Sequence, residues 1–333
     1  MARGGDIQEH PEYPHVIWDL EPDQKGKLPV AKGRGGPFNI AYEVHGHGPI
    51  KIVWVMGLGS LKANWQRQTK DFGHTQADKY SCLIFDNRGM GDSDKPRIRY
   101  STSEMARDAI ELLDHVGWTE SRSVHVVGIS MGGMIGQELG LLIPDRIASL
   151  NLISTAPYIF NTVGYVENLR HRINLIIPKS IDQQLSNVKK NCYTLKWLAE
   201  PDECEYVKEP FPTNGDRFAA MEVMKRNHPE WFTRVGFLLQ LIAAGWHHKT
   251  PEQLKELGDK IGRERILVVH GTIDGMISFP HGEKLLEYLG GEESGITKRF
   301  IEGQSHVMPI ERRKEFNSWI EAMVEKTEKL NKA

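Results

Sequence analysis

The chain is poor in cysteine. Only Cys82, Cys192 and Cys204 occur among 333 residues, too few for a disulfide framework, so we expect a reducing compartment. Cys82 lies in an apolar run and is predicted to be a buried free thiol, whereas a bond between Cys192 and Cys204 stays open. The composition therefore favours a fold held by its apolar core rather than by cross-links.

The chain also has little net charge and no long apolar run. Its 42 Lys and Arg residues nearly balance its 44 Asp and Glu residues, for a formal charge of -2. Without a strong field of either sign, we predict no nucleic-acid partner. No run of about 18 apolar residues occurs, and no apolar targeting segment opens the chain. We therefore expect no integral membrane segment and a cytoplasmic location.

Metal-ligand patterns are missing as well. His45 and His47, like His247 and His248, have no companions at the spacing that metal sites use. We predict neither a metal nor a cofactor. The oligomeric state is not indicated.

Short apolar runs alternate with helical patterns in two parts of the chain. This alternation is typical of an α/β fold in which helices flank a mostly parallel central sheet. The predicted strands are 38–44, 50–56, 80–85, 124–127, 147–153, 266–269 and 296–301, and the predicted helices of these parts include 102–116, 131–142, 281–289 and 311–329.

The alternation of apolar strand patterns with helical patterns is absent between residues 157 and 258. That segment has helical patterns at 166–177, 181–199, 217–225 and 231–244. We therefore predict a core formed by residues 1–156 and 259–333, interrupted by a helical cap or lid at 157–258. Residues 1–36 are predicted to be an irregular arm with room for an edge strand.

Ser130 lies in the sequence Gly128-Ile129-Ser130-Met131-Gly132, between a predicted strand and a predicted helix. A nucleophile at such a turn points away from both elements, and the backbone strain of the turn requires small neighbours. The start of the following helix also favours developing negative charge. We therefore predict that Ser130 is a nucleophile.

A tetrahedral intermediate on Ser130 would need two backbone N–H donors. Met131, directly after the serine, is predicted to supply one. The loop Met56-Gly57-Leu58-Gly59 follows an earlier strand, and Leu58 is the candidate for the other. A plain glycine turn is the alternative explanation of this loop.

An acid and a base follow the serine at the ends of later strands. Asp274 comes after the strand at 266–269, while no carboxylate follows the strand at 147–153. His306 lies between the last strand and the last helix, where it can take the serine proton. His270 is the competing base, although its position suggests that it serves its own turn. We predict that Ser130, Asp274 and His306 form a triad.

Taken together, the motifs resemble the α/β-hydrolase superfamily, in particular its capped esterase and lipase members. They include the motifs around Ser130 and His306, the loop Phe85-Asp86-Asn87-Arg88-Gly89-Met90-Gly91-Asp92-Ser93, and His270-Gly271-Thr272-Ile273-Asp274. The resemblance covers residues 38–156 and 259–327. It implies ester cleavage through an acyl-enzyme on Ser130, by a carboxylesterase, a monoacylglycerol-lipase-like enzyme or a lactonase. Serine at this position argues against epoxide hydrolases and dehalogenases, which use aspartate.

The insert is rich in aromatic residues and shows no evident clamp for a phosphate or carboxylate. We therefore expect a small, uncharged ester, thioester or lactone with an apolar part. The residues predicted to contact it are Gly57, Trp65, Tyr158, Trp231 and Phe237. Two alternatives stay open: an acyltransferase that uses the same acyl-enzyme, and a receptor or binding protein of this fold with slow turnover.

Overall fold

A central sheet of eight strands organises the molecule in the computed structural model, which describes residues 7–162, 180–202 and 209–332. The strands are β1 (Gln24–Val30), β2 (Phe38–His45), β3 (Ile50–Val55), β4 (Tyr80–Phe85), β5 (Val124–Ile129), β6 (Ile147–Ile153), β7 (Ile266–Gly271) and β8 (Thr297–Ile301). Their order is β1-β2-β4-β3-β5-β6-β7-β8. β2 pairs antiparallel with both β1 and β4, and the other pairings are parallel. The predicted mostly parallel sheet is confirmed.

Nine α-helices of five residues or more lie in the described part of the chain. They are α1 (Thr102–His115), α2 (Met131–Leu142), α3 (Ile181–Cys192), α4 (Leu195–Ala199), α5 (Asn214–Asn227), α6 (Arg234–Gly245), α7 (Pro251–Ile261), α8 (Phe279–Leu289) and α9 (Arg313–Lys332). Short helical turns occupy 62–74, and one turn spans Met308–Glu311. None of these helices is long and apolar enough to cross a membrane.

Helices cover both faces of the sheet, which explains why its inner strands are continuous apolar runs. On one face, α1, α2, α7 and α8 pack over residues such as Val53, Val126 and Val268. On the other face, α9 and the turns at 62–74 pack over residues such as Trp54 and Val127. Alternate residues of each strand thus enter two separate hydrophobic cores.

The parallel register aligns the carboxyl ends of four strands. Val55 of β3 pairs with Gly128 of β5, Ile129 with Ile153 of β6, and Ile153 with Val269 of β7. The loops that follow these strands therefore meet at one edge of the sheet, where ligands of open α/β sheets bind. Ser130 and Asp274 both lie in such loops.

Helices α3 to α6 form the inserted segment that we call the cap. The helix predicted at 181–199 is two helices in the structure, because Thr194 caps a new start by accepting a hydrogen bond from the N–H of Trp197. The helix predicted at 166–177 and Cys204 lie outside the described residues. Helix α7 spans the predicted boundary at 258/259, and its Leu254 and Leu257 belong to the core under the sheet.

The N-terminal arm contains the edge strand β1 and also reaches the cap. Ile7 and Val16 are buried in a cluster with Leu185 of α3 and with Val223 and Met224 of α5. The predicted arm is therefore packed along much of its described length. Its apolar contacts join the first residues of the chain to the cap.

Candidate active site

Ser130 lies at a sharp turn between β5 and α2. Its backbone has φ 58° and ψ -122°, a conformation that residues with a Cβ rarely adopt. The turn is held because the N–H of Ser130 donates to the carbonyl of Ile153, 2.9 Å away. A strained serine between a strand and a helix is the geometry that the sequence predicts.

The glycines on either side of the turn are required by close backbone contacts. A Cβ on Gly128 would lie 2.3 Å from the carbonyl oxygen of Gly132, and a Cβ on Gly132 would lie 2.1 Å from that of Val55. Neither distance is sterically possible. The glycines therefore let β3, β5 and α2 approach closely enough to present Ser130 at the edge of the sheet.

Two side chains after β6 hold the loops around Ser130. The hydroxyl of Thr155 donates to the carbonyl of Ser130 over 2.7 Å, and the hydroxyl of Ser154 donates to the carbonyl of His306 over 2.9 Å. Both are fully buried. The sequence gives no signal for these two hydroxyls, because they belong to no motif of their own.

Asp274 and His306 form a buried pair. His306 Nδ1 and Asp274 Oδ2 are 2.7 Å apart. The other carboxylate oxygen accepts the N–H groups of Met276 and Ile277 at 2.8 and 2.9 Å. The carboxylate is thus fixed on one side by its own loop and points its second oxygen at the imidazole, which leaves Nε2 of His306 for another partner.

His270 lies beside this pair and serves its own loop. Its Nε2 is 2.7 Å from the carbonyl of Ile277 and 3.5 Å from Asp274 Oδ2. Burial lowers the pKa of His270 below its usual range, although the Asp274 carboxylate opposes this. A neutral His270 donates to the Ile277 carbonyl and supports the loop that orients Asp274.

One cavity of about 430 Å³ contains both Ser130 and His306 in its lining. Gly57, Leu58 and Phe237 line it as well. Most of its remaining walls come from α3, α5 and α6 of the cap. The structure therefore brings the predicted nucleophile, the predicted base and the glycine loop to one cavity of ligand size.

The glycine loop after β3 lies directly against the serine. A Cβ on Gly57 would be 3.1 Å from Cβ of Ser130. Gln240 of α6 accepts the N–H of Gly59 over 2.9 Å and donates its amide to the carbonyl of Arg88, also over 2.9 Å. The loop that contains Leu58 is thus fixed by a buried side chain of the cap, a contact that no sequence motif indicates.

Three of the residues predicted to contact the substrate lie outside the cavity of Ser130, so these predictions are wrong. Trp65 is buried in the core, with its ring 4.9 Å from that of Trp54. Tyr158 packs against His248, and Trp231 donates its indole N–H to Asp92 over 3.1 Å. None of the three lines the cavity of Ser130. The sequence does not show which face of its helix, strand or loop an aromatic side chain occupies. In the structure, contacts with residues outside the cavity hold each of these three side chains.

The cavity has a charged wall, contrary to the expectation that no charged clamp is present. Glu222, Lys225 and Arg226 of α5 line it. Lys225 Nζ is 2.6 Å from Glu222 and donates to the carbonyl of Gly59 over 3.1 Å. Arg226 contacts the same carboxylate at 3.3 Å. Their spacing of three and four residues was the available signal, because it places all three on one side of a helix.

The cap also touches both loops that carry the buried pair. The carbonyl of Asn191, near the end of α3, accepts the N–H of Gly275, and the carbonyl of Cys192 accepts the N–H of Val307, each over 3.1 Å. Gly275 follows Asp274 and Val307 follows His306.

Cys82 and Cys192 are both buried free thiols.

Comparison with known proteins agrees with the fold. The sequence pattern of the α/β hydrolase fold family matches residues 52–286. A structure of a thermophilic esterase from Thermogutta terrifontis superimposes with a TM-score of 0.68 at 19% identity, covering 91% of this chain and 99% of that one. At this identity the likeness shows the fold.

Relatives in sequence have several activities. A putative carbamate hydrolase, RutD, of Azorhizobium caulinodans is 33% identical over 120 residues, which are 36% of this chain and 42% of that protein. The chain thus spans less than half the length of that relative. 3-Oxoadipate enol-lactonase 2 of Acinetobacter baylyi is 25% identical over 279 residues, covering 83% of this chain and 88% of the relative.

Proposed function

Because the chain belongs to the α/β hydrolase fold family, we propose that it is a serine hydrolase that cleaves a carboxylic ester through an acyl-enzyme on Ser130. The observation that carries the proposal is the Asp274–His306 pair at 2.7 Å, with His306 and the strained Ser130 lining one cavity. A serine, an oriented imidazole and a buried carboxylate are the parts that acyl transfer requires.

In the proposed reaction, Ser130 Oγ attacks the ester carbonyl while Nε2 of His306 takes its proton. Asp274 holds the imidazole in the tautomer that this transfer needs and stabilises its charged form. The N–H groups of Leu58 and Met131 bind the oxyanion. His306 then protonates the departing alcohol, and water, activated by the same imidazole, releases the acid from Ser130.

A lactone is the second substrate class that a specific observation favours. The enol-lactonase relative matches over most of both chains. Opening a lactone uses the same acyl-enzyme, except that the alcohol stays attached to the acyl group. The residues proposed above carry out both reactions. The shape of the cavity, and not the chemistry, therefore selects between an ester and a lactone substrate.

Fluorophosphonate labelling with mass mapping tests the nucleophile. We expect a single modification on Ser130 of the folded protein and none in a Ser130→Ala variant, with loss of hydrolysis of short p-nitrophenyl esters. Ser318→Ala, at an exposed serine of α9, is the control that should still be labelled. An unlabelled Ser130 in folded protein would overturn the assignment.

The same assays separate the competing functions. A binding protein of this fold would be labelled at Ser130 but would release the acyl group slowly, leaving a stable acyl-enzyme. An acyltransferase would pass the acyl group to an added alcohol or thiol faster than to water. We expect neither result: product should form steadily in water alone, and an added acceptor should take a minor share.

A further inference from the structure

The cap wall of the catalytic cavity contains more buried positive than negative charge. Among the cavity-lining residues of the described chain, Glu222 is the one acidic side chain, while Lys225, Arg226 and Arg234 are cationic. Arg234 is exposed, whereas the side chains of Glu222, Lys225 and Arg226 are only 10%, 7% and 14% exposed. An uncompensated charge in such a place is costly unless a counter-ion binds there.

Arg226 has a buried hydrogen-bond donor with no partner among the described residues. Its terminal nitrogens contact Gln184 and Glu222, whereas its buried Nε makes no hydrogen bond within that part of the chain. Phe232 lies beneath the guanidinium, with 4.8 Å between the guanidinium carbon and the ring centre. The guanidinium is thus held in place by packing and by two partners, at the wall of the cavity that Ser130 also lines.

The charged wall is close to the proposed nucleophile. Lys225 binds the carbonyl of Gly59, and Gly57, two residues earlier, lies against Ser130. Two residues of extended chain span at most about 7 Å. The ammonium group therefore lies within roughly 15 Å of Ser130, a distance that one small molecule can bridge.

We propose that the substrate carries an anionic group, a carboxylate in the simplest case, which binds at Arg226 and Lys225 while its ester or lactone lies at Ser130. This inference rests on the proposed function and names the substrate class for the same site. Glu222 keeps the two cations in place and leaves one positive charge for the ligand. Apolar residues of the same cavity, including Phe237 and Leu238, contact the carbon chain of the substrate.

Two series of matched esters test the proposal. One contains monoethyl esters of dicarboxylic acids with six to ten carbons, and the other contains O-acetyl derivatives of ω-hydroxy acids of the same lengths. Each is compared with the neutral primary amide that replaces its free carboxylate. We expect kcat/KM to be about ten- to a hundred-fold higher for the acid than for the amide at the best length in one series, the range for a hydrogen bond to a charged group.

Substitutions in the charged cap wall test whether Arg226 causes the preference for the acid over the amide. Arg226→Met should remove most of the preference of acid over amide through KM, whereas Arg226→Lys should keep part of it. Lys190→Met removes an exposed cation of the same cap outside the cavity and should change nothing. If the amides are cleaved as well as the acids in both series, the inference is wrong while ester hydrolysis stands. If no ester is cleaved and Ser130 is not labelled, the proposed function itself fails.

Discussion

At the scale of single residues, Gly132 is constrained by backbone rather than by side chains. A Cβ there would meet the carbonyl of Val55, which cannot move without shifting β3. We expect Gly132→Ala to lower the free energy of unfolding by about 2–3 kcal/mol, measured by urea denaturation. Gly245→Ala at the end of α6 is the matched control, since a Cβ there meets nothing within 4 Å, and it should be neutral or stabilising. Equal losses in both variants would contradict the packing argument.

Asp274 acts in the proposed mechanism through the tautomer of His306. Asp274→Asn keeps the size of the side chain but offers an amide that can donate to Nδ1, so it favours the wrong tautomer. We expect kcat for ester hydrolysis to fall by about 10³–10⁴-fold with little change in the circular dichroism spectrum. Asp78→Asn, at a nearly fully exposed carboxyl, is the control. A fall of less than tenfold in Asp274→Asn would remove Asp274 from the mechanism.

The chemistry-bearing residues could be placed from sequence because each follows a strand. Parallel strands end at one edge, so strand ends and chain order are enough to bring Ser130, Asp274 and His306 together. Gln240 and Arg226 could not be found this way. They lie on cap helices, and their positions depend on how those helices pack over the sheet, which a periodic pattern does not determine.

At the scale of elements, α6 is tied to the glycine loop through one buried side chain. Gln240→Leu removes the bonds to Gly59 N–H and Arg88 C=O and leaves both backbone groups unpaired. We expect a loss of stability of about 1–3 kcal/mol and a fall in kcat that exceeds any rise in KM, because the loop no longer holds Leu58 in place. Gln240→Glu keeps the acceptor for Gly59 and should give an intermediate kcat. A change in KM alone would show that Gln240 acts on binding instead.

A buried polar group links α1, α2 and the segment before α7. His247 lies 2.9 Å from the hydroxyl of Thr102, and burial, reinforced by nearby Lys249, lowers its pKa to about 3. Between pH 6.5 and 3 the unfolded chain therefore binds a proton at His247 that the folded protein does not, so stability falls as the pH decreases through this window. His247→Gln should make this decline less steep in urea unfolding, whereas the exposed His15→Gln should not. An unchanged slope in His247→Gln would contradict the assignment.

The sequence predicted the strands more closely than the cap helices. An apolar run bounded by turns defines a buried strand, and the bounds of β4 and β6 agree with those predicted. The split between α3 and α4 was missed because it depends on Thr194, whose hydroxyl both caps α4 and donates to Glu311 near the last helix. A long-range partner of this kind has no local signature.

At the scale of the whole molecule, the N-terminal arm supports the cap. Val16 is buried against cap residues, so Val16→Asp places a charge in an apolar cluster, at a cost that exceeds most single substitutions. We expect faster proteolysis within the cap and a higher KM for esters, with Ser130 still labelled. His15→Asp adds the same charge at the exposed neighbouring position and should leave both unchanged. Loss of labelling in Val16→Asp would mean that the arm supports the whole fold and not the cap alone.

The contact between the arm and the cap can form only after the cap has been synthesised. Ile7 and Val16 emerge from the ribosome early, but Val223 and Met224, their partners on α5, follow about 200 residues later. At the usual rate of translation this interval is roughly 10 to 40 s. During that time Ile7 and Val16 lack these apolar partners, so the nascent chain exposes an apolar segment that a chaperone can bind until α5 has been made.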